Sequence, residues 1–265
     1  MKDSEEAREA LAEGSLISHL VELRNRLLRA VIAVVIMFIP CAYFSDRLFT
    51  LVALPLIEKM PMGTSMIATS IVAPFMAPLK LALLAGLFLA MPYVLYQAWA
   101  FVAPGLYRHE KRFAVPLVVS SIVLFYAGVA FAYFVVFPLM FAFLTSAAPH
   151  GVQVMTDMSN YLDFVLLLFF AFGIAFEIPI ATVLLASTGL VRIEKMTQNR
   201  GYIILGIFIV AAFLTPPDAV SMCFMAVPMY LLYESGIVMS RLLLRNRATR
   251  EQEEQEQEER AEDPE

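Results

Sequence analysis

The chain has 265 residues, of which 60% are hydrophobic and only 16% are charged, and its mean hydropathy is +0.73. Soluble domains are roughly half apolar and about a quarter charged, so this composition excludes an ordinary soluble enzyme or binding domain. The net charge of −5 points to no class of partner, because nine of the 24 acidic residues lie in the last fifteen positions and the rest of the chain is nearly balanced. No nucleic-acid partner is predicted.

Six apolar segments follow one another along the chain. A helix needs roughly 20 apolar residues to cross the ~30 Å hydrocarbon core of a bilayer, and most of these segments are long enough. They are Leu27–Phe44, Pro74–Ala100, Phe113–Leu144, Leu162–Ser187, Tyr202–Leu214 and Ala219–Met239. The fifth is only ~20 Å long as a helix, so it requires a locally thin bilayer or a partner that covers the mismatch. The pattern predicts an all-α integral membrane protein with six transmembrane helices.

The positive charges predict how these helices are oriented. Sixteen of the 19 lysines and arginines lie before the first span, after the sixth, or in the loops that follow the second and fourth spans. The other three are Arg47, Lys59 and Lys80. Lysine and arginine concentrate on the cytoplasmic side, so both termini are predicted to be cytoplasmic. The predicted external segments are Ser45–Ala73, which is expected to be structured, Thr145–Tyr161 and Thr215–Asp218.

The two ends of the chain differ in composition from the membrane domain, which we place at residues 19–245. Residues 1–18 are predicted to form a short polar helix or a frayed cytoplasmic tail. No cleavable signal peptide is predicted, because the basic cluster follows an acidic stretch and no small-x-small cleavage site closes the first apolar run. Residues 246–265 carry mostly like charges, which predicts a disordered or loosely helical acidic tail.

The most informative polar residue within a span is Glu177, in the sequence FGIAFEIP. Ionisable groups at this depth are costly and usually functional. The simpler interpretation is a protonated glutamate that hydrogen-bonds a neighbouring helix. Pro179 should kink the span two residues later, which favours a functional Glu177 that faces an opening instead of lipid. Asp163 lies at the outer edge of the same span, where water reaches it.

Two further acids, Glu22 and Glu110, lie among basic residues in the segments HLVELRNRLLR and GLYRHEKR. The pattern alone favours local ion pairs. Glu22 and Arg26 are four residues apart on one helix face, and Glu110 is next to Lys111 and Arg112.

Two acids near the last span also have local interpretations. Asp218, after the two prolines of TPPD, is placed to cap the sixth helix. Glu234 can extend its carboxylate toward the membrane surface or pair with Arg241.

Catalytic motifs are absent from the sequence. The three histidines are scattered, and there is no HExxH, GxSxG, CxxC or nucleotide-binding P-loop. We therefore predict no enzyme activity, no metal and no cofactor. Two rival functions stay open at this point. A proton-coupled solute transporter would use Glu177 as proton carrier but needs several polar groups at the midplane, and an intramembrane enzyme needs a nucleophile and base, or metal ligands, that face each other.

Five motifs together resemble one known family. HLVELRNRLLRA, WAFVAPGLYRHEKR, FAYFVVFPLMFAFL, FGIAFEIP and AFLTPPD occur in this order and resemble TatC, the multispanning receptor subunit of the twin-arginine protein translocase. The resemblance covers about residues 16–245. One departure is the segment TSIVAPF, where many family members carry an acid near Ser70.

The resemblance implies a function and a set of partners. Members of the family move folded proteins across the bacterial cytoplasmic (inner) membrane with the protonmotive force and without nucleotide. Their substrates carry signal peptides with paired arginines. The implied protein partners are the single-span subunits TatA and TatB, which would bind along the short fifth and sixth spans, and further copies of the chain itself. The implied architecture is a concave, cup-like helical bundle with Glu177 on the concave face.

The resemblance also implies site residues. Glu22 and Glu110 match the acids that hold the twin arginines, and a carboxylate suits this task because it forms bidentate, charge-assisted bonds with guanidinium. The resemblance thus overrides the interpretation that both acids form only local ion pairs. Arg24 and Phe101 match positions that are important for the recognition site. The other functionally sensitive positions that match are Pro55, Glu177 and Asp218.

Overall fold

The computed structural model describes residues 2–57, 66–106, 114–146, 155–189, 191–215 and 218–262, and these are helical apart from short connections. Five helical stretches are long and apolar enough to cross a membrane, and Arg200–Leu214 forms a shorter apolar helix. The five are Ile17–Tyr43, Ala73–Phe101, Val115–Leu144, Met158–Ser187 and Ala219–Arg245. The prediction of an all-helical membrane protein is therefore confirmed for the described residues.

The chain divides into two compact units, Met1–Ile122 with Met155–Leu162 and Val123–Val154 with Asp163–Glu265. In the first unit, helix α1 (Lys2–Tyr43) packs along α3 (Ala73–Leu106). Gly86 permits this close approach, because a Cβ atom there would lie 2.8 Å from the backbone N and Cα of Phe38. Helix α1 begins at Lys2, so the expected N-terminal polar helix is continuous with the first span.

The predicted external segment Ser45–Ala73 contains structure, as expected, in the form of α2 (Ser45–Ile57), which packs on α3. Beyond α2, the chain pairs with the residues before α6 (Met158–Ala175). The Ile67 amide donates to the carbonyl of Thr156 (3.0 Å), and the Met158 amide donates to the carbonyl of Ile67 (2.9 Å). The buried Tyr161 hydroxyl donates to the Val52 carbonyl of α2 at 2.8 Å. Backbone bonds thus join the two predicted external segments within this unit.

Asp157 adds a side-chain link between the same segments. Its Oδ2 accepts from the Thr69 hydroxyl (2.6 Å) and the Thr69 amide (3.0 Å), and its Oδ1 accepts from the Ser159 and Asn160 amides at 3.0 and 2.9 Å. The last two bonds cap the start of α6. All four favour the charged carboxylate, the Thr69 hydroxyl most of all, and they hold the pKa of Asp157 at about 2 against an ordinary 3.8.

This link should depend on pH. A carboxylate whose pKa is lowered by folding gives its stabilisation above its ordinary pKa and loses it as the pH falls through the lowered value. We expect the Thr69 and Asn160 amides to be protected from hydrogen exchange at neutral pH, with protection lost as the pH falls from about 4 to about 2. Asp157→Ala should remove the protection at every pH. An unchanged pH profile in Asp157→Ala would show that Asp157 is not the group responsible.

In the second unit, the third predicted span changes helix type along its length. It comprises α4 (Ala114–Phe131), a π-helical turn (Ala132–Val136) and α5 (Phe137–Ser146). Within the π turn the Phe137 amide donates to the Ala132 carbonyl five residues earlier. Pro138 follows at once, and a proline ring clashes with the carbonyl four residues before it in a regular α-helix. The wider turn relieves this clash.

The remaining helices are α7 (Ile178–Ser187), α8 (Ile193–Gln198), α9 (Arg200–Leu214) and α10 (Ala219–Glu262). Helix α10 packs against α7, α8 and α9. Its contact with α7 uses Gly236, where a Cβ atom would lie 2.9 Å from the Pro179 Cα. Helix α10 continues through Glu262, so it includes most of the segment 246–265, for which a disordered or loosely helical tail was expected.

An ion pair joins α9 to α10. Arg200 Nη2 donates to Glu234 Oε2 at 2.7 Å, Arg200 Nε lies 2.6 Å from Glu234 Oε1, and the Tyr230 hydroxyl also donates to Oε1 at 2.8 Å. Of the two interpretations given for Glu234, pairing with Arg241 is therefore wrong. Arg241 lies two helical turns away, ~10 Å along the axis, and donates instead to Thr197 Oγ1 at 2.9 Å.

Breaking this pair should destabilise the second unit. Removing one partner of a buried pair costs about 3–5 kcal/mol. The Arg200 side chain is 40% exposed, so solvent screening reduces the expected loss for Glu234→Ala to about 1–2 kcal/mol. Glu234→Gln keeps an acceptor for Tyr230 and should lose less. The apparent midpoint of thermal unfolding in detergent measures this, with Arg241→Gln as the control. A larger loss in Arg241→Gln than in Glu234→Ala would contradict the assignment.

Candidate functional site

The first candidate acid, Glu22, forms the ion pair that its spacing predicted. Glu22 Oε1 accepts from Arg26 Nη2 at 2.7 Å and from Arg26 Nε at 2.9 Å. The Glu22 side chain is 40% exposed and the Arg26 side chain 23%. Since both donors use Oε1, the described residues leave Oε2 available to another donor.

Helix α3 completes the surroundings of Glu22. Arg26 Nη1 donates to Gln97 Oε1 at 3.3 Å, and Gln97 is buried. The ring of His19 stacks on that of Phe101 with centroids 4.3 Å apart. We call these five residues, His19, Glu22, Arg26, Gln97 and Phe101, the Glu22 seam. It presents one carboxylate beside an aromatic pair where α1 and α3 pack together, an arrangement suited to binding a cationic peptide with apolar neighbours.

The other predicted recognition residues stand apart from the Glu22 seam or cannot be placed. Arg24 is exposed. It follows Glu22 by two residues, ~200° around the helix, so the two side chains do not share a face. Glu110 lies outside the described residues. The roles of Arg24 and Glu110 in recognition stay predictions.

Glu177 lies at a break in the fourth predicted span. Helix α6 ends at Ala175, and Glu177 is the N-cap residue of α7, with Pro179 in the first turn. The Glu177 amide donates to the Ile174 carbonyl three residues earlier (3.0 Å), which is a tighter turn than that of an α-helix. The Glu177 carbonyl accepts from the Ala181 amide four residues later (2.9 Å), where the α-helical pattern begins again. The span is thus interrupted directly before Pro179, where the sequence predicted a kink. Glu177 Oε1 is buried, yet its carboxylate does not cap α7.

Two predicted sites adjoin the ends of other helices. Asp218 Oδ1 accepts from the Ser221 amide at 2.7 Å, which confirms the predicted capping of α10. Pro55 lies within α2, and its side chain is outside the described part.

The sequence interpretation missed two polar contacts made by residues of α3. Gln97 was a signal in itself, since it is a single amide within a long apolar segment, and it is 5% exposed. Two residues further along α3, Trp99 Nε1 donates to the buried Ser121 hydroxyl at 2.9 Å. Within the described ranges, no three His, Cys, Asp or Glu side chains are placed to hold a metal ion.

Comparison with known proteins identifies the family. Residues 18–228 match the family model described as Sec-independent protein translocase protein (TatC). Proteins of that name are 56% identical in Azotobacter chroococcum (84% of this chain, 87% of that protein), 53% identical in Haemophilus influenzae (85% and 88%) and 50% identical in Escherichia coli strain K12 (89% and 92%).

Solved structures agree with the sequence matches. A crystal structure of the twin arginine translocase receptor TatC is 38% identical with a TM-score of 0.77, over 84% of this chain and 98% of that chain. A second crystal structure of that receptor, in DDM, is 37% identical with a TM-score of 0.78, over 84% and 99%. Because the family model spans most of the chain and these relatives share its length, the chain belongs to the TatC family of Sec-independent protein translocase proteins and is an integral membrane protein.

Proposed function

We propose that this chain is the receptor subunit of a twin-arginine translocase, which recognises twin-arginine signal peptides and nucleates export of folded proteins driven by the protonmotive force. The observation that supports it is the Glu22 seam. One oxygen of Glu22 accepts both bonds from Arg26, and the described residues leave the other open to a further donor, beside the His19–Phe101 stack. A guanidinium forms charge-assisted bonds with such a carboxylate, and aromatic rings accommodate the apolar residues of a peptide.

The topology adds the direction of approach. With both termini in the cytoplasm of a bacterial inner membrane, six spans in a cup-like bundle place the Glu22 seam on the side where an unexported precursor arrives. The lysine and arginine distribution supports this orientation. Glu110 then supplies a second carboxylate from the first cytoplasmic loop, so that each substrate arginine meets its own acid, and Arg24 contacts the same peptide.

The assembly partners proposed are TatA, TatB and further copies of the chain. The length of helix α9 supports the proposal that a partner helix docks there, because 15 residues are short for a span. Its apolar side chains are exposed along the helix, among them Tyr202, Leu205 and Phe213. A neighbouring apolar helix would cover them and the mismatch together. Transport without a catalytic site, a metal or a cofactor completes the proposal.

Three residues remote from the Glu22 seam are given roles in transport. Glu177 provides a polar contact within the membrane for the signal peptide or a partner helix. Pro55 and Asp218 act on the external side, where Asp218 also fixes the start of α10.

Crosslinking tests this function. A photo-reactive residue at position 19 should capture a synthetic twin-arginine signal peptide on the purified chain, because His19 stacks on Phe101 beside Glu22. A peptide with two lysines should crosslink several-fold less, since an ammonium lacks the planar fork. The same photo-reactive residue at the exposed, externally predicted Ile71 serves as the control. Equal crosslinking of both peptides at position 19, or capture at position 71, would contradict the proposal.

A further inference from the structure

The Glu22 carboxylate already holds a guanidinium in this structure. Arg26 Nε and Nη2 both donate to Glu22 Oε1, at 2.9 and 2.7 Å. A substrate arginine carries the same chemical group. To use both carboxylate oxygens, as a bidentate guanidinium contact requires, it must take Oε1 from Arg26.

Gln97 is placed to hold Arg26 when that happens. Gln97 Oε1 accepts from Arg26 Nη1 at 3.3 Å, a nitrogen that is not used on Glu22. Gln97 is 5% exposed and belongs to α3, not to the helix that carries Glu22 and Arg26. An arginine released from Glu22 therefore keeps a hydrogen-bond acceptor within reach.

The strength of the pair fits an exchangeable contact. Partly exposed ion pairs four residues apart on a helix contribute little stability, and the two side chains are 23% and 40% exposed. Separating Arg26 from Glu22 thus costs little free energy, and the bonds of an incoming guanidinium can offset it. The interaction is too weak to be needed for holding α1 helical, since α1 is a long helix that packs along α3.

We propose that Arg26 is a built-in competitor for Glu22, and that Gln97 retains Arg26 while a substrate arginine occupies Glu22, so that the substrate binds by exchange and Arg26 returns when the peptide leaves. This inference rests on the proposed function. Exchange lowers the affinity for guanidinium ligands and eases their release, which a receptor that passes its ligand on requires. An ammonium acts as a point charge and is served by Oε2 without displacing Arg26. The competition therefore falls on arginine peptides more than on lysine peptides.

Peptide binding to the purified full chain in detergent tests this, with a twin-arginine and a twin-lysine signal peptide. Arg26→Gln should raise affinity for the twin-arginine peptide about two- to fivefold, the fold-change that corresponds to an exposed ion pair. Affinity for the twin-lysine peptide should change no more than it does in Arg29→Gln. That control removes one positive charge from an exposed residue of the same helix. Arg26→Lys keeps the charge without the fork and should give a smaller rise.

The acceptor predicts the opposite sign. Gln97→Leu removes the acceptor that retains Arg26 once it has left Glu22, so affinity for the twin-arginine peptide should fall, in a protein whose thermal unfolding shows that it is folded. Lower or unchanged twin-arginine affinity in both Arg26→Gln and Arg26→Lys, or a rise in folded Gln97→Leu, would overturn the inference. Failure of the proposed function looks different, because the unmodified chain would then bind the two peptides equally.

Discussion

Glu22→Gln is expected to weaken binding of a twin-arginine signal peptide by roughly tenfold, and Glu110→Gln by a similar factor. Glutamine keeps the shape and one carbonyl acceptor but loses the charge, and a charge-assisted hydrogen bond is worth about 1.5–3 kcal/mol. The Glu22 side chain is 40% exposed, which favours the lower end of that range. Since 1.4 kcal/mol corresponds to a tenfold change in affinity, a titration of labelled peptide against purified chain resolves the effect.

A matched control separates this local effect from net charge. Glu194→Gln makes the same chemical change on α8, at an exposed position on the side proposed to be cytoplasmic. Peptide affinity in this variant should stay near that of the unmodified chain. If Glu22→Gln and Glu110→Gln both bound the peptide as the unmodified chain does, the assignment of the two acids would fail.

The membrane helices were predictable because their signal is local. Apolar run length indicates whether a helix is long enough to cross a bilayer, and the short fifth segment is a helix of 15 residues, close to the length expected. The π turn before Pro138 was not predicted, although the proline was visible in the sequence. Where a helix accommodates a proline depends on how its side chains pack, and run length carries no information about that.

Whether a side-chain contact could be predicted depended on how far apart the two residues are along the chain. The Glu22–Arg26 pair and the Asp218 cap involve residues three or four apart, where helix geometry fixes the distance. The partner of Glu234 is 34 residues away, and the link from Thr69 to Asp157 spans 88 residues. Such contacts follow from how helices pack, which the hydrophobic pattern does not specify. The interpretation of Glu234 as a possible partner of Arg241 failed for this reason.

The Glu22 seam shows that a local ion pair and a binding role are compatible. Sequence pattern favoured pairing with Arg26, and family resemblance favoured a substrate contact. In the chain without a peptide, the ion pair with Arg26 uses only one oxygen of Glu22. Gln97, which the sequence interpretation passed over, links Arg26 to α3 and makes the exchange of partners physically reasonable.

Replacing Glu177 should impair transport without preventing folding. Its carboxylate does not cap α7, and the turn at Pro179 is made by backbone bonds that any residue at position 177 can form. Glutamine still donates and accepts hydrogen bonds, whereas alanine does neither. A lost buried polar contact costs about 1–3 kcal/mol, so transport should fall in the order native, Glu177→Gln, Glu177→Ala, with about a tenfold loss in the last.

Export of a reporter protein and the amount of chain in the membrane must be measured together for Glu177. Membrane levels should stay near native in both variants, because the residue is expected to contact a passing peptide or partner helix and not to hold the fold. Asp163→Asn is the control, since it alters an exposed carboxylate at the end of the same span that is predicted to be external, and it should leave export near native. If Glu177→Ala failed to accumulate, the residue would be structural, and its proposed contact within the membrane would have to be abandoned.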